Sequence, residues 1–241
     1  MKAMIFAAGV GSRLRPLTDE TPKALIEIGG VPMIERVVRR LQSAGVTELV
    51  VNLFHFGDRI VEFLTSKGNF GLRFAFTRET ELLDTGGGLK NAAWFFDDSR
   101  PFFIHNVDVV SDIDLPELLR THREGGALAT LAVQRRPSAR LLLFDASGRL
   151  RGRETPDGLE WAAEPSSGLE RLAFTGIHVV DPAIFPMMSE TGVFSILRTY
   201  LRLSGEGKLI LAYRADDRYW EDVGSPEKLA RARSYAAQLK S

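Results

Sequence analysis

The chain has 241 residues, with 31 basic and 31 acidic side chains and no cysteine. A net charge of zero creates no global field toward nucleic acid or anionic lipid, so neither is an expected partner. The missing thiols exclude disulfide frameworks, thiol catalysis and cysteine-ligated zinc or iron–sulfur sites, and they suit a reducing compartment. The N-terminal apolar run is too short for a secretory h-region. No other stretch approaches the ~20 apolar residues that a membrane-spanning helix needs. A cytoplasmic enzyme-sized protein is expected.

In chain order, Ala3–Ala8 reads as a short buried strand that stops at Gly9 and Gly11. Pro32 is expected in the first turn of a helix whose apolar positions are Met33, Ile34, Val37, Val38 and Leu41, with Gly45 as its stop. Glu48–Asn52 is the next strand, Ile60 to Leu64 mark a second helix, and Leu72–Thr77 a third strand. Three strands alternating with helices predict a doubly wound α/β layer with a parallel sheet. Leu82–Ala92 carries three consecutive glycines, Gly86 to Gly88. Helix propensity disfavours them by about 1 kcal/mol each, which leaves a flexible loop or a close backbone approach to a flat group. Pro101–Asp108 is a buried strand with polar residues at its carboxyl end, where parallel sheets place ligands. An amphipathic helix over Leu115–Glu124, with Asp114 as N-cap, and a strand over Leu128–Gln134 follow. From Ser138 the spacing shortens into antiparallel strands with turns at 146–148 and 156–158. Phe174–Val180 returns to the main sheet. Helical patterns at 183–188 and 196–203, a strand at 209–213 and a final helix through Pro226 complete a chain with no internal repeat or linker, read as one domain over 1–241.

Gly9-Val-Gly11 alone is weak, because the dinucleotide fingerprint requires glycine where Leu14 stands, and GxxxxGK[ST] is absent. What remains is GxGxRxxPLT…TPK, in which Arg13 and Lys23 supply fork and point-charge contacts for a polyphosphate. The alternative is a tight turn bearing solvated cations. Asp108 and Asp222 are the carboxylates of interest, since Mg²⁺ takes one or two carboxylates along with phosphate oxygens and water. His55, His105, His122 and His178 share no ligand spacing, and His105 and His178 sit in apolar strands as packed residues. No nucleophile elbow is present.

These motifs resemble the sugar-1-phosphate nucleotidyltransferases. AAGVGSRLRPLTDETPK is similar to the family's AAGxGxRxxPLTxxxPK, DTGGG to its glycine loop, NVD to its NGD, and WEDVGSPE to its W-x-D-x-G-T, in the family's order. The resemblance implies a Rossmann-like, mainly parallel sheet with helices on both faces and a small β-rich acceptor-binding insertion over 138–180. It implies NTP and a sugar 1-phosphate as partners and Mg²⁺ as cofactor, with Arg13, Lys23 and Asp108 catalytic and Asp108 and Asp222 holding the metal. Ala7, Ala8, Gly9, Gly11, Arg13, Lys23, Glu79, Thr85, Gly86 and Asn106 would contact the nucleotide. Arg140, Glu164, Thr175 and Gly176 would contact the acceptor, with Phe174 lining it.

Two departures stand out: Val107 replaces the glycine of NGD, and Glu164–Pro165 lacks the lysine that many relatives carry between these residues. Short members without that lysine are most similar to N-acetylmuramate-1-phosphate uridylyltransferases, and Arg140 or Arg171 could meet the acidic group of such a sugar. Guanylyl transfer to mannose or heptose 1-phosphate, cytidylyl transfer to phosphocholine, and a silent nucleotide-binding subunit stay open. So does the choice between monomer and homodimer.

Overall fold

The computed structural model describes residues 1–162, 164 and 167–239. The chain divides into two compact units. One comprises Met1–Leu82, His105–Ile113 and Tyr219–Ser241, and the other Leu83–Ile104 and Asp114–Arg218. Each is assembled from separated stretches, so the division leaves no linker to see in the sequence.

In the first unit the strands Lys2–Phe6, Glu48–Leu53 and Arg73–Arg78 pair in parallel, with Glu48–Leu53 in the middle. The helices Met33–Ser43 and Gly57–Ser66 alternate with them. The expected apolar face of the first helix is buried at Met33, Ile34, Val37, Val38 and Leu41, and Gly45 follows it with φ +85°. Pro32 falls one residue earlier than expected, as the extended residue before the helix. The opening strand ends at Phe6 and does not reach Ala8. The Ala7 N–H donates to the Asn52 side-chain oxygen at 2.8 Å and so leaves the ladder. Leu14, Ile26, Ile28, Met33, Val110, Val223 and Leu229 form a buried apolar cluster. Tyr219 lies on it and stacks on Tyr235 at 3.5 Å between ring centroids. This cluster fastens the loop after the first strand to the final helix, Pro226–Gln238.

In the second unit the fully buried Ala129–Gln134 strand pairs antiparallel with Glu170–Val180 and parallel with Ile210–Arg214. The β-rich stretch expected from Ser138 is present. Leu141–Phe144, Leu150–Thr155 and Gly158–Trp161 form an antiparallel set that joins Glu170–Val180 at Leu142↔Leu172. Asp114 caps the Leu115–Gly125 helix by accepting from the Glu117 N–H at 2.9 Å. The α/β class with a parallel sheet and a small antiparallel region is therefore what the chain forms. Among the described residues no helix is long and apolar enough to cross a membrane.

The glycine triplet forms part of a helix, Asp84–Asn91, with all three glycines buried. Propensity is overridden by packing. A Cβ on Gly86 would come within 2.3 Å of the Phe194 ring, and one on Gly87 within 2.6 Å of the Gly192 carbonyl oxygen. The close backbone approach expected here is thus made to another segment of the chain.

His105 and His122 are buried. Burial pushes His105 down to about 3, helped by the charge of Arg40, and His122 down to about 4. His122 Nδ1 lies 3.0 Å from the Thr130 hydroxyl. Because folding lowers the pKa of His122, the unfolded chain holds the extra proton between the two values. The contribution of His122 is therefore complete above about pH 6.5 and declines as the pH falls toward 4. The expected slope is up to about 1.4 kcal/mol per pH unit, and His122→Gln should remove it from urea midpoints measured between about pH 7 and about pH 5. A variant that loses as much stability on acidification as the parent would refute this account.

Candidate active site

The site is built where the first strand of the first unit runs out. Gly11 has φ +69°, and a Cβ there would meet Thr18 at 3.0 Å and the Lys23 side chain at 3.2 Å. Glycine is thus required both by conformation and by the proximity of Lys23. The Thr18 hydroxyl donates to the Gly11 carbonyl at 2.9 Å and the Leu14 N–H donates to the same oxygen at 2.8 Å, which closes the loop. At Gly9 a Cβ would have nothing within 4 Å, so the backbone there faces open space.

Lys23 forms a short ion pair with Asp108, its side chain 10% exposed against 26% for the carboxylate. Asp108 sits just before the Val109–Ser111 strand, which pairs antiparallel with Trp220–Asp222 so that Val109 faces Asp222. The Val223 N–H donates to the Asp108 carbonyl at 2.8 Å. The two aspartates therefore come from neighbouring backbone positions, although far apart in sequence. Asp222 pairs closely with Lys228 in the first turns of the final helix. Arg13 lies across Gly224, where a Cβ would be 2.9 Å from its Nη2.

A second set of contacts fixes the other edge of the loop. Asn52 accepts from the Ala7 N–H and donates to Glu79 Oε1 at 2.7 Å, with Asn52 and Glu79 both buried. Ala8 is also buried, and the Asn106 carbonyl lies 2.7 Å from His105 Nδ1. Thus Ala7, Ala8, Gly9, Gly11, Arg13, Lys23, Glu79, Asn106, Asp108 and Asp222 all belong to the first unit.

The remaining candidates belong to the second unit. The Thr85 hydroxyl accepts from the Ile196 N–H at 3.0 Å, and the Gly86 N–H donates to the Phe194 carbonyl at 2.8 Å. Thr175 is buried and donates to the Ala132 carbonyl at 2.7 Å. Gly176, at φ +77°, falls in the register irregularity between Phe174 and His178. Arg136 Nη2 donates to the Phe174 carbonyl at 2.9 Å. Arg140 and Glu164 are exposed, and Pro165 lies outside the described residues. Arg171 pairs with Glu154 at 2.9 Å.

The donor set fits Mg²⁺ of the kind that completes its coordination with substrate phosphate and water. Asp108, just before one strand, and Asp222, on the strand paired with it, are two hard carboxylates of the kind such an ion takes. Among the described residues no group of three or more acidic or histidine side chains could enclose a metal. Asn52, Lys228 and the Arg13–Gly224 contact escaped the sequence reading. Of these, only Asn52 carried a signal, as a polar residue closing an apolar strand.

The Nucleotidyl transferase family model matches residues 2–238. The chain belongs to this family. It is 32% identical over 248 aligned residues to N-acetylmuramate alpha-1-phosphate uridylyltransferase of Neisseria meningitidis serogroup B, covering the whole of both chains. It is 31% identical to mannose-1-phosphate guanyltransferase of Yarrowia lipolytica over 94% of this chain and 61% of that one. The chain thus spans about six tenths of the length of such guanyltransferases. Among solved structures, UDP-glucose pyrophosphorylase complexed with UDP-glucose superposes with a TM-score of 0.79 at 20% identity, covering 98% of each chain. At that identity the likeness establishes a shared fold.

The contact between Gly224 and Arg13 yields a prediction separable from stability. In Gly224→Ala the added methyl group displaces only the mobile end of Arg13. The melting temperature should hold while affinity for inorganic pyrophosphate, measured by calorimetry, falls about tenfold. Unchanged pyrophosphate affinity would show that Arg13 does not need its present position.

Proposed function

We propose that this chain transfers a nucleotidyl group from an NTP, UTP in the first instance, to a sugar 1-phosphate, with N-acetylmuramate 1-phosphate as the favoured acceptor and Mg²⁺ as cofactor. The observation that carries the reading is the charge arrangement of the first unit. Lys23 pairs with Asp108 and Lys228 with Asp222, with Arg13 against Gly224 and a glycine loop packed on the Lys23 stem, in a chain that matches the family over 2–238. The full-length relative from Neisseria meningitidis favours the acceptor.

The reaction joins an acceptor phosphate oxygen to the α-phosphorus of the NTP. The bond from that phosphorus to the oxygen bridging the β-phosphate breaks, and its electron pair leaves with pyrophosphate. No covalent enzyme intermediate is required, so positioning and charge neutralisation carry the catalysis. Asp108 and Asp222 would hold Mg²⁺, whose chemistry there is to neutralise phosphate oxygens. Lys23, released from Asp108, would stabilise the reacting phosphate, and Arg13 would hold the leaving pyrophosphate through its fork of donors. The Gly9–Gly11 backbone, Glu79 and Asn106 would lie along the nucleotide. Glu164, Thr175 and Gly176 would serve the acceptor.

A second reading, guanylyl transfer to mannose 1-phosphate, is favoured by the fungal relatives at 30–31% identity. Pyrophosphate release from UTP, GTP, CTP and dTTP, each with both acceptors, separates the two. UTP with N-acetylmuramate 1-phosphate should be fastest, and a clear lead for GTP with mannose 1-phosphate would reverse the choice. Release from no pair would leave a nucleotide-binding regulatory subunit. Asp108→Asn should lower kcat by about a hundredfold or more while circular dichroism still reports a folded chain. Near-normal turnover of that variant at saturating Mg²⁺ would remove Asp108 as a metal ligand.

A further inference from the structure

A cavity of about 550 Å³ opens in the second unit, lined by Glu160, Trp161, Glu190, Thr191, Arg198 and Arg202 among others. That volume lies within the range of about 300–1,000 Å³ typical of small-molecule sites. Its walls are braced. Lys90 Nζ donates to the carbonyls of Met188 and Glu190 at 2.7 and 2.6 Å, and Arg202 Nη2 donates to the Met187 carbonyl at 2.8 Å. Ala162, also in the lining, presses on the end of the Ile196–Gly205 helix so closely that a Cβ on Gly205 would lie 2.2 Å from the Ala162 carbonyl oxygen.

The charges lining this cavity are unequally committed. Glu160 accepts from Arg153 Nε at 2.6 Å. Glu190 accepts from Arg202 through both Nε and Nη2, at 2.8 and 3.1 Å. Burial pulls the Glu190 pKa upward, but the Arg202 hydrogen bonds and charge, together with hydrogen bonds from its own backbone and Thr199, hold the group below the ordinary value. These ion pairs hold both carboxylates in place, where they can accept hydroxyl donors. Arg198 has no carboxylate partner among the described residues. Its guanidinium is a fork of donors that no side chain among the described residues engages. Trp161, 38% exposed, offers a flat face in the same cavity. An aromatic face, fixed hydroxyl acceptors and one uncommitted arginine match a sugar that carries an acid group.

We propose that this cavity receives the acid-bearing part of the acceptor sugar, with Arg198 gripping its carboxylate and Trp161 lying against the ring. The inference deepens the nucleotidyl-transfer reading and rests on it for the word acceptor. Arg198 is not a residue that the motifs single out, and it takes the part left open between Arg140, which is exposed on its own turn, and Arg171, which Glu154 already occupies.

The test begins with binding, which needs no turnover. Calorimetry of the full chain compares N-acetylmuramate with N-acetylglucosamine, which lacks the carboxylate. The parent should bind the acid about tenfold more tightly or better, Arg198→Gln should erase that preference, and Arg198→Lys should restore part of it. Equal affinity for the two sugars, or a preference that survives Arg198→Gln, overturns the proposal. Steady-state kinetics then places the site. Arg198→Gln should raise KM for N-acetylmuramate 1-phosphate about tenfold, with KM for the NTP as internal reference. Lost binding with an unchanged acceptor KM would overturn the acceptor assignment and leave a separate acidic-sugar site. If the parent turns over no NTP with any acceptor, nucleotidyl transfer falls, and the calorimetric preference still decides whether the cavity reads an acid. If the parent turns over and neither binding nor KM responds to Arg198, the cavity proposal falls and nucleotidyl transfer stands.

Discussion

The Lys23–Asp108 ion pair is the contact on which the first unit's site depends. Lys23 is almost wholly enclosed, and an ammonium ion so placed is costly unless a charge of opposite sign answers it. The Gly11 loop packs directly on the Lys23 stem, so the loop, the lysine and the carboxylate are held as one piece. The second pair, Asp222 with Lys228, repeats the arrangement one strand away and is about one-third exposed on each side. With Arg13 included, three cations stand against two carboxylates, which leaves one net positive charge. On the proposed function, a polyphosphate arriving with a divalent ion would displace either lysine without stranding it, because each ammonium would find a phosphate oxygen in exchange. The ion pairs are therefore better understood as a charge reserve than as a source of stability.

The glycine triplet shows how the same residues can serve a constraint of a different kind. Three glycines in a row left a flexible loop and a close approach both open, and the group approached was not legible. The Phe194 ring and the Gly192 carbonyl come from the segment before a later helix, and nothing near position 86 announces them. Once packed, the Gly86 N–H is engaged by Phe194, and the Thr85 hydroxyl by Ile196. The segment between Gly192 and Ile196 is thereby tied to the triplet. It leads directly into the helix that carries Arg198, so the geometry of the triplet helps to set one wall of the cavity.

Much of the fold could be read because its signals are local. The apolar face of Met33–Ser43, the Asp114 cap and the turns of the β-rich stretch each depend on residues a few positions apart. The early end of the first strand could not be read, because it depends on the Asn52 side chain reaching across to Ala7. The division into two units was hidden for a similar reason: the chain passes back and forth between them and never needs a linker. Within the site, Arg13, Lys23 and Asp108 stood out through motif spacing, whereas Lys228 did not, since its meaning comes from a strand pairing that joins Asp222 to Val109.

This contrast separates the two halves of the chemistry. Every NTP brings the same polyphosphate, and on the proposed reading it meets a short motif with Arg13 and Lys23, joined by carboxylates and Lys228 that strand pairing brings to it. An acceptor is distinguished by its substituents, which must be met by side chains gathered from several places. Trp161 ends an antiparallel strand, Glu190 and Thr191 lie in a braced turn, and Arg198 and Arg202 project from a helix. None of these segments resembles a motif when taken alone. Such a surface can change its preferred sugar by replacing one side chain while the phosphate machinery stays intact. The reaction class is therefore legible in short motifs, whereas the proposed choice of acceptor lies in residues that only folding brings together.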